Sequence, residues 1–280
     1  VGELLHGVFR VLARQLRVPL CERRAPDIRY GAEISVDSKR SRPEIADRHL
    51  IVNADDFGLS AGINRGVIEA HELGIVTSTT LMVRWPAAAE AADYGRQHPG
   101  LSIGLHIDLC EWTYRDDAWM PRYERVPLDD STAVEDEVRG QLDLFRALMG
   151  REPTHLDSHQ HIHRDEPVRS IGMRIARELA IPLRHCTPHI HYCGDFYGQS
   201  AAGWPYPEGI SVENLLRIFA SLPAGITELA CHPGYEDGLD SMYASERSIE
   251  VETLCDPRIS SAIDEMMIVL CSFDAPLHEA

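Results

Sequence analysis

Short apolar runs alternate with amphipathic stretches along most of this chain. His49-Leu50-Ile51-Val52-Asn53-Ala54 reads as a buried strand running into Asp55-Asp56-Phe57-Gly58. Ser60 follows as a helix N-cap, and Ile63, Val67, Ile68 and Leu73 mark the buried face of a helix that Gly74 stops. Ile75 to Val83, rich in Thr and Val, predicts a second strand, and Pro86 opens an Ala-rich helix ending near His98-Pro99-Gly100. Leu101 to Leu109 predicts a third strand, Val134 to Met149 a helix, and the stretch from His155 a fourth strand. Pro167 to Ala180 reads as a helix, Ile181 to His185 as a strand, Ser211 to Ser221 as a helix, and Gly225 to Cys231 and Ile268 to Phe273 as strands. Residues 110–133 and 186–209 carry aromatics without a clear period and read as long loops, which in compact domains are usually functional.

Strands alternating with helices imply a parallel sheet with right-handed crossovers. About seven such units fit residues 48–280, and no G-x-G-x-x-G follows the first strand, which disfavours dinucleotide binding. The expected fold is α/β, a distorted (β/α) barrel of about seven strands, TIM-barrel-like. Residues 1–47 read differently. Leu4 to Leu16 can form a short amphipathic helix and Ser35 to Asp47 a linker. Ala13 to Leu20 parallels Ala176 to Leu183, Pro26 to Tyr30 parallels Pro188 to Tyr192, and Ile34 to Asp37 parallels Ile210 to Glu213. The segment is therefore read as a degenerate partial repeat and linker, too short to bury its own core and able to pack on the main domain.

Composition narrows the partners. Hydrophobic content of 44% and charged content of 25% suit a globular protein. A formal net charge of -17 argues against nucleic acid and against an anionic membrane surface. No apolar run approaches 18 residues, so no membrane span is expected. Seven scattered cysteines without a C-x-x-C pair do not form a disulfide framework, and the N-terminal residues lack the pattern of a signal peptide. The expectation is a cytoplasmic protein, compatible with a homo-oligomer.

The candidate chemistry lies at the C-terminal ends of the predicted strands, where β/α barrels carry their active sites. Four ends supply it: Asp55-Asp56, His106, the run His155-Leu156-Asp157-Ser158-His159-Gln160-His161-Ile162-His163, and His232. In an extended chain the alternate residues of that run share one side. The competing reading is a His-rich surface loop. Imidazole and carboxylate together suit Zn, Mn, Fe or Ni, and carboxylate-rich variants accept Mg. One carboxylate and two imidazoles leave open positions for water and a substrate oxygen. A second carboxylate can act as base, and an opposing histidine can protonate a leaving nitrogen.

These residues resemble the YdjC-like carbohydrate deacetylases, which include the chitooligosaccharide deacetylases. The resemblance rests on Ile51 to Ser60, Gly74 to Thr80, Gly104-Leu105-His106, Pro153 to His161 and Cys231-His232-Pro233, and covers roughly residues 49–274. It implies a distorted β/α barrel, one divalent metal ion (Mg or Zn) and hydrolysis of an N-acetyl group from an acetylated amino sugar. By position, Asp56, His106 and His159 would hold the metal, Asp55 would be the general base and His232 the acid, although adjacent carboxylates can exchange roles. His155 and Asp157 would orient the His159 ligand from behind. His161 and His163 would contact substrate or the ligands, and Trp112, Trp119, Tyr197 and Trp204 are candidate walls for a sugar ring. Two other readings remain open at this level: a different metal-dependent amidohydrolase or phosphoesterase, with His161 and His163 serving a second ion, and an inactive sugar-binding relative.

Overall fold

The computed structural model describes residues 47–115, 118–200, 203–237 and 240–274. The partial repeat read in residues 1–47 lies, up to Ala46, outside the described residues. The first strand, β1 (Arg48–Phe57), is nearly all buried, with Leu50, Ile51, Val52 and Ala54 hidden from solvent. Burial of successive residues means that both faces of the strand are covered, as in a parallel sheet wrapped by helices. α1 (Ala61–Glu72) follows, its start fixed by Ser60 Oγ accepting the Ile63 N–H at 3.2 Å. β2 (Ser78–Leu81), α2 (Ala88–Gln97) and β3 (Ser102–Ile107) complete the first units.

The predicted loop at 110–133 contains an antiparallel hairpin, β4 (Cys110–Arg115) and β5 (Ala118–Glu124). Its strands pair with each other and stand outside the main sheet. Only β4 begins buried, so the alternation that betrays a half-buried strand is faint here. α3 (Ser131–Met149) starts three residues before Val134, where Asp130 Oδ1 accepts the Thr132 and Ala133 N–H groups, and ends at Gly150 in the left-handed region (φ 69°).

β6 is short, Leu156–Ser158, and breaks into a 3₁₀ turn over His159–Arg164, with Gln160 and His161 at positive φ (48° and 54°). The run of alternate histidines therefore does not continue as a strand. α4 (Val168–Leu179) follows, and the strand expected at 181–185 shrinks to one parallel bridge, Leu183 with Leu156. The second predicted loop contains β7 (Ile190–Cys193). α5 (Val212–Ser221), β8 (Gly225–Cys231), α6 (Ser245–Leu254), α7 (Pro257–Glu265) and β9 (Ile268–Leu270) close the chain.

The main sheet is parallel, in the order β6-β3-β2-β1-β8-β7. β9 pairs with Arg48 to Leu50, while β2 pairs from Asn53 onward on the same strand. The result is a curled, distorted (β/α) barrel. The two faces of β1 differ. Leu50, Val52 and Ala54 join the large apolar core, whereas Ile51 joins a small cluster with Ile190 and Phe273. Above Ile51, the same face carries Asn53 and Asp55, so it turns from apolar to polar toward the C-terminal end of the strand.

The loop after β8 comes very close to α1. A Cβ placed on Gly66 would sit 2.3 Å from Gly234 Cα and 2.5 Å from its nitrogen. Gly66→Ala should push the His232-Pro233-Gly234 loop outward at a cost of about 1–3 kcal/mol. Urea denaturation would measure it, and unchanged stability would show that helix and loop can part freely.

Candidate functional site

Adjacent strand residues ordinarily point to opposite faces. At the end of β1 the register with β2 shifts between Ala54 and Phe57, and Asp56 adopts φ 68°. Aspartate tolerates this left-handed conformation better than most side chains. The irregularity lets both Asp55 and Asp56 reach the same end of the barrel, in different surroundings.

Asp55 is clamped. Arg184 Nη1 donates to Asp55 Oδ2 at 2.6 Å and Nη2 to Oδ1 at 2.8 Å, while Asn53 Nδ2 also donates to Oδ1 at 2.8 Å. Arg184 serves two more carboxylates, with Nε donating to Glu228 Oε1 at 2.6 Å and Nη2 lying 2.9 Å from Asp157 Oδ2. All four side chains are buried. Burial alone would raise the Asp55 carboxyl, but the Arg184 guanidinium outweighs it and holds the group well below the usual carboxylate range. Glu228 shares that guanidinium from a less favourable position, and burial pushes it up to about 7.

Asp56 faces two imidazoles. Its Oδ1 lies 3.3 Å from His106 Nε2 and 3.2 Å from His159 Nδ1, while Arg247 Nη2 donates to Oδ2 at 2.6 Å. His106 is oriented from its other side, with Nδ1 2.7 Å from Asp157 Oδ1 and 3.0 Å from Thr80 Oγ1. Donor atoms of Asp56, His106 and His159 lie within 4.8 Å of one another, so the three could hold one cation. The pattern of an imidazole whose far nitrogen meets a carboxylate is the one that presents a lone pair to a metal. Asp55, His106 and Asp157 also converge. There the Arg184 guanidinium already occupies both carboxylates, and a cation would compete with it.

His232, at the end of β8, places Nε2 3.8 Å from Asp55 Oδ2 and Nδ1 4.0 Å from Glu250 Oε1. Burial pushes its imidazole down to about 4, so it is neutral at neutral pH. Glu250 lies behind it, accepting the His232 backbone N–H and the Tyr243 hydroxyl. Tyr197, a candidate sugar wall, stacks on Tyr243 with centroids 4.8 Å apart and stands 5.6 Å from His232. Trp112 is tied to the turn after β6 through its backbone, the amide N–H donating to Gln160 Oε1 and the carbonyl accepting from Gln160 Nε2, both at 2.8 Å. Trp119 packs edge-on against Tyr114 in the hairpin, and Trp204 is largely exposed.

The histidine run divides among three duties. His159 joins Asp56. His155 turns into the barrel, with Nε2 3.0 Å from Asn53 Oδ1 and its ring stacked 3.7 Å from that of Phe273. Asp157 meets His106 rather than His159. His161 and His163 stand with His185, apart from the Asp56 set.

A family described as YdjC-like protein matches residues 49–265. The chain belongs to the YdjC-like family. A chitooligosaccharide deacetylase of Serratia marcescens is 33% identical over 263 residues, a match covering 81% of this chain and 98% of that one. A carbohydrate deacetylase 2 of Listeria innocua is 34% identical over 242 residues, covering 80% and 97%. Among solved structures, a candidate cellobiose-phosphate cleavage protein of Enterococcus faecalis V583 superposes with a TM-score of 0.67 at 27% identity, over 83% of this chain and 100% of that one.

Four residues of this YdjC-like protein escaped sequence reasoning: Arg184, Glu228, Arg247 and Glu250. One left a signal. Glu228 sits inside the run Ile226 to Cys231, and a lone carboxylate in a buried strand demands a cation nearby. Arg247 and Glu250 left none, because Glu246, Arg247, Glu250 and Thr253 look like the solvated side of α6 yet are buried.

Two outcomes follow. Arg184→Met would strand the carboxylates of Asp55, Asp157 and Glu228, and should cost about 3–5 kcal/mol in urea unfolding; a cost near zero would mean that they find other partners. Burial pushes Glu250 from 4.5 to about 8. Between those values the unfolded chain ionises while the folded one keeps its proton, so stability falls as pH rises through that window. The slope is at most about 1.4 kcal/mol per pH unit. Glu250→Gln should flatten the fall in melting temperature between about pH 5 and 8, and an unaltered slope would assign it to other groups.

Proposed function

We propose that this protein is a carbohydrate N-deacetylase that uses a divalent cation to hydrolyse the N-acetyl group of an acetylated amino sugar, releasing acetate and a free amine. The observation that carries this reading is the division of labour at Asp55-Asp56. One carboxylate is clamped by Arg184 beside His232, and the other is aimed at two imidazoles. The names of the curated relatives, chitooligosaccharide and carbohydrate deacetylases, supply the substrate class.

Asp56 Oδ1, His106 Nε2 and His159 Nδ1 are the donors that fit the cation, a mixed carboxylate–imidazole set of the kind that Zn accepts and Mg tolerates. When bound, the cation supplies Lewis acidity to the amide carbonyl and to water. Asp157 holds His106 Nδ1 so that Nε2 faces Asp56, and Arg247 fixes the other Asp56 oxygen. Asp55 stays ionised, and its Oδ2 has room for a second acceptor bond beside the one from Arg184 Nη1. It orients a water and receives the water's proton there. His232 starts neutral, takes that proton at Nε2 and passes it to the departing nitrogen, so the proton lost by water ends on the amine. Tyr197, beside His232, and Trp112, beside the turn that carries His159, are placed to line the sugar.

Acetate release from N-acetylglucosamine oligomers, with Zn²⁺ or Mg²⁺ added to metal-stripped protein, tests the reading. Asp55→Asn should keep the cation yet lose about 10²–10⁴-fold in turnover, whereas His159→Ala should lose cation and activity together. Full activity in either variant would take away the role given to that residue.

A further inference from the structure

Beside the Asp56 set lies a second cluster that the proposed hydrolysis does not use. His161, His163 and His185 offer nitrogen atoms within 4.8 Å of one another. Their ring centroids are 5.2 Å apart for His161–His185, 5.8 Å for His163–His185 and 6.0 Å for His161–His163. His163 is fully buried, and His161 is partly so.

The hydrogen bonds of these rings are one-sided. His163 Nδ1 lies 2.6 Å from Ser158 Oγ, and His161 Nε2 lies 3.1 Å from the Tyr192 hydroxyl. The other nitrogens, His163 Nε2 and His161 Nδ1, are shielded from solvent and meet no hydrogen-bond partner. Burying such an atom unpaired is costly. Hydroxyls can accept as well as donate, so the tautomers whose outer nitrogens donate to Ser158 and Tyr192 are open to these rings; in them each inner nitrogen carries a lone pair, as in metal-binding histidines fixed by an outer partner. His161 and His185 also hold positive φ (54° and 63°), a conformation that non-glycine residues keep only where the surroundings enforce it.

We propose that His161, His163 and His185 form a second cation site, specific for a late first-row transition metal such as Zn²⁺. Three neutral imidazoles and no carboxylate suit Zn, Ni or Co and give little to Mg, which prefers oxygen. A zinc ion there ties the turn after β6 to the segment carrying Arg184, the residue that clamps Asp55. Arg164 and Arg184 are the nearby cations, and Arg184 is more than matched by the carboxylates of Asp55, Asp157 and Glu228. The site stands on its own geometry, whatever reaction the neighbouring set performs.

The test is metal stoichiometry of the full chain by equilibrium dialysis after chelator treatment, with Zn²⁺ and Mg²⁺ in separate arms. Wild type should hold about two Zn²⁺ but no more than about one Mg²⁺. His185→Ala and His159→Gln should each hold about one Zn²⁺, and the double variant none. His185 is exposed, so its loss leaves the core untouched, and circular dichroism would check this. Zn²⁺ should also raise the melting temperature of His159→Gln but not of the double variant. Zinc binding in His185→Ala equal to wild type, or a wild type that holds one Zn²⁺ which His159→Gln abolishes, would overturn the proposal. Two Zn²⁺ retained by His159→Gln would instead count against the cation set in the proposed hydrolysis.

Discussion

One guanidinium holds the polar end of this barrel together. Arg184 is fully enclosed and bonded to Asp55 from β1, Asp157 from β6, and Glu228 from β8. β1 and β8 are neighbours, but β6 lies at the edge of the sheet, beyond β2 and β3, so the contact ties that edge to the centre at the level where the polar side chains gather. A buried ion cluster of this kind is weak evidence for stability, because desolvation can cancel the attraction. Its value here lies in what it fixes. Asp157 can orient His106 only because Arg184 and Thr80 hold its second oxygen, and Asp55 keeps its charge in a buried site only because the guanidinium faces it.

The second constraint is the backbone at Asp55-Asp56. A regular strand would send one of these carboxylates to the helices. The register shift and the left-handed Asp56 bring both to the mouth, where one meets a cationic side chain and the other meets imidazoles. Chemically identical neighbours thus become different groups through their surroundings alone, the general way in which proteins assign distinct roles to paired acids.

Much of this was legible in the sequence. Apolar runs alternating with amphipathic helices gave the parallel barrel, because burial on both strand faces leaves an unmistakable run such as Leu50 to Ala54. The gathering of Asp55-Asp56, His106, the histidine run and His232 at one end followed from their places at strand ends, and the resemblance to YdjC-like deacetylases singled out Asp56, His106 and His159 among them. Other features hide from a one-dimensional reading. The hairpin at 110–124 packs little of its surface, so it lacks an apolar period. The break after Ser158 needs the left-handed residues Gln160 and His161, which carry no glycine to announce them. Asp157 looked like support for its neighbour in the chain, His159, but parallel pairing sets it opposite His106. Arg247 reaches Asp56 across nearly two hundred positions, and nothing local marks the pair.

The pairing of β1 carries a consequence for how the molecule comes into being. This strand precedes the other described strands in the chain, yet its neighbours include β8 and β9, which follow it by more than a hundred and fifty residues. Contacts between segments so far apart in sequence form slowly, since a long loop must close before any reward arrives. The aspartates wait, unguided, until Arg184 and Arg247 have left the ribosome. The polar centre cannot be complete before both arginines are made, and a chain cut short before β9 would leave the N-terminal half of its central strand with an open, adhesive edge.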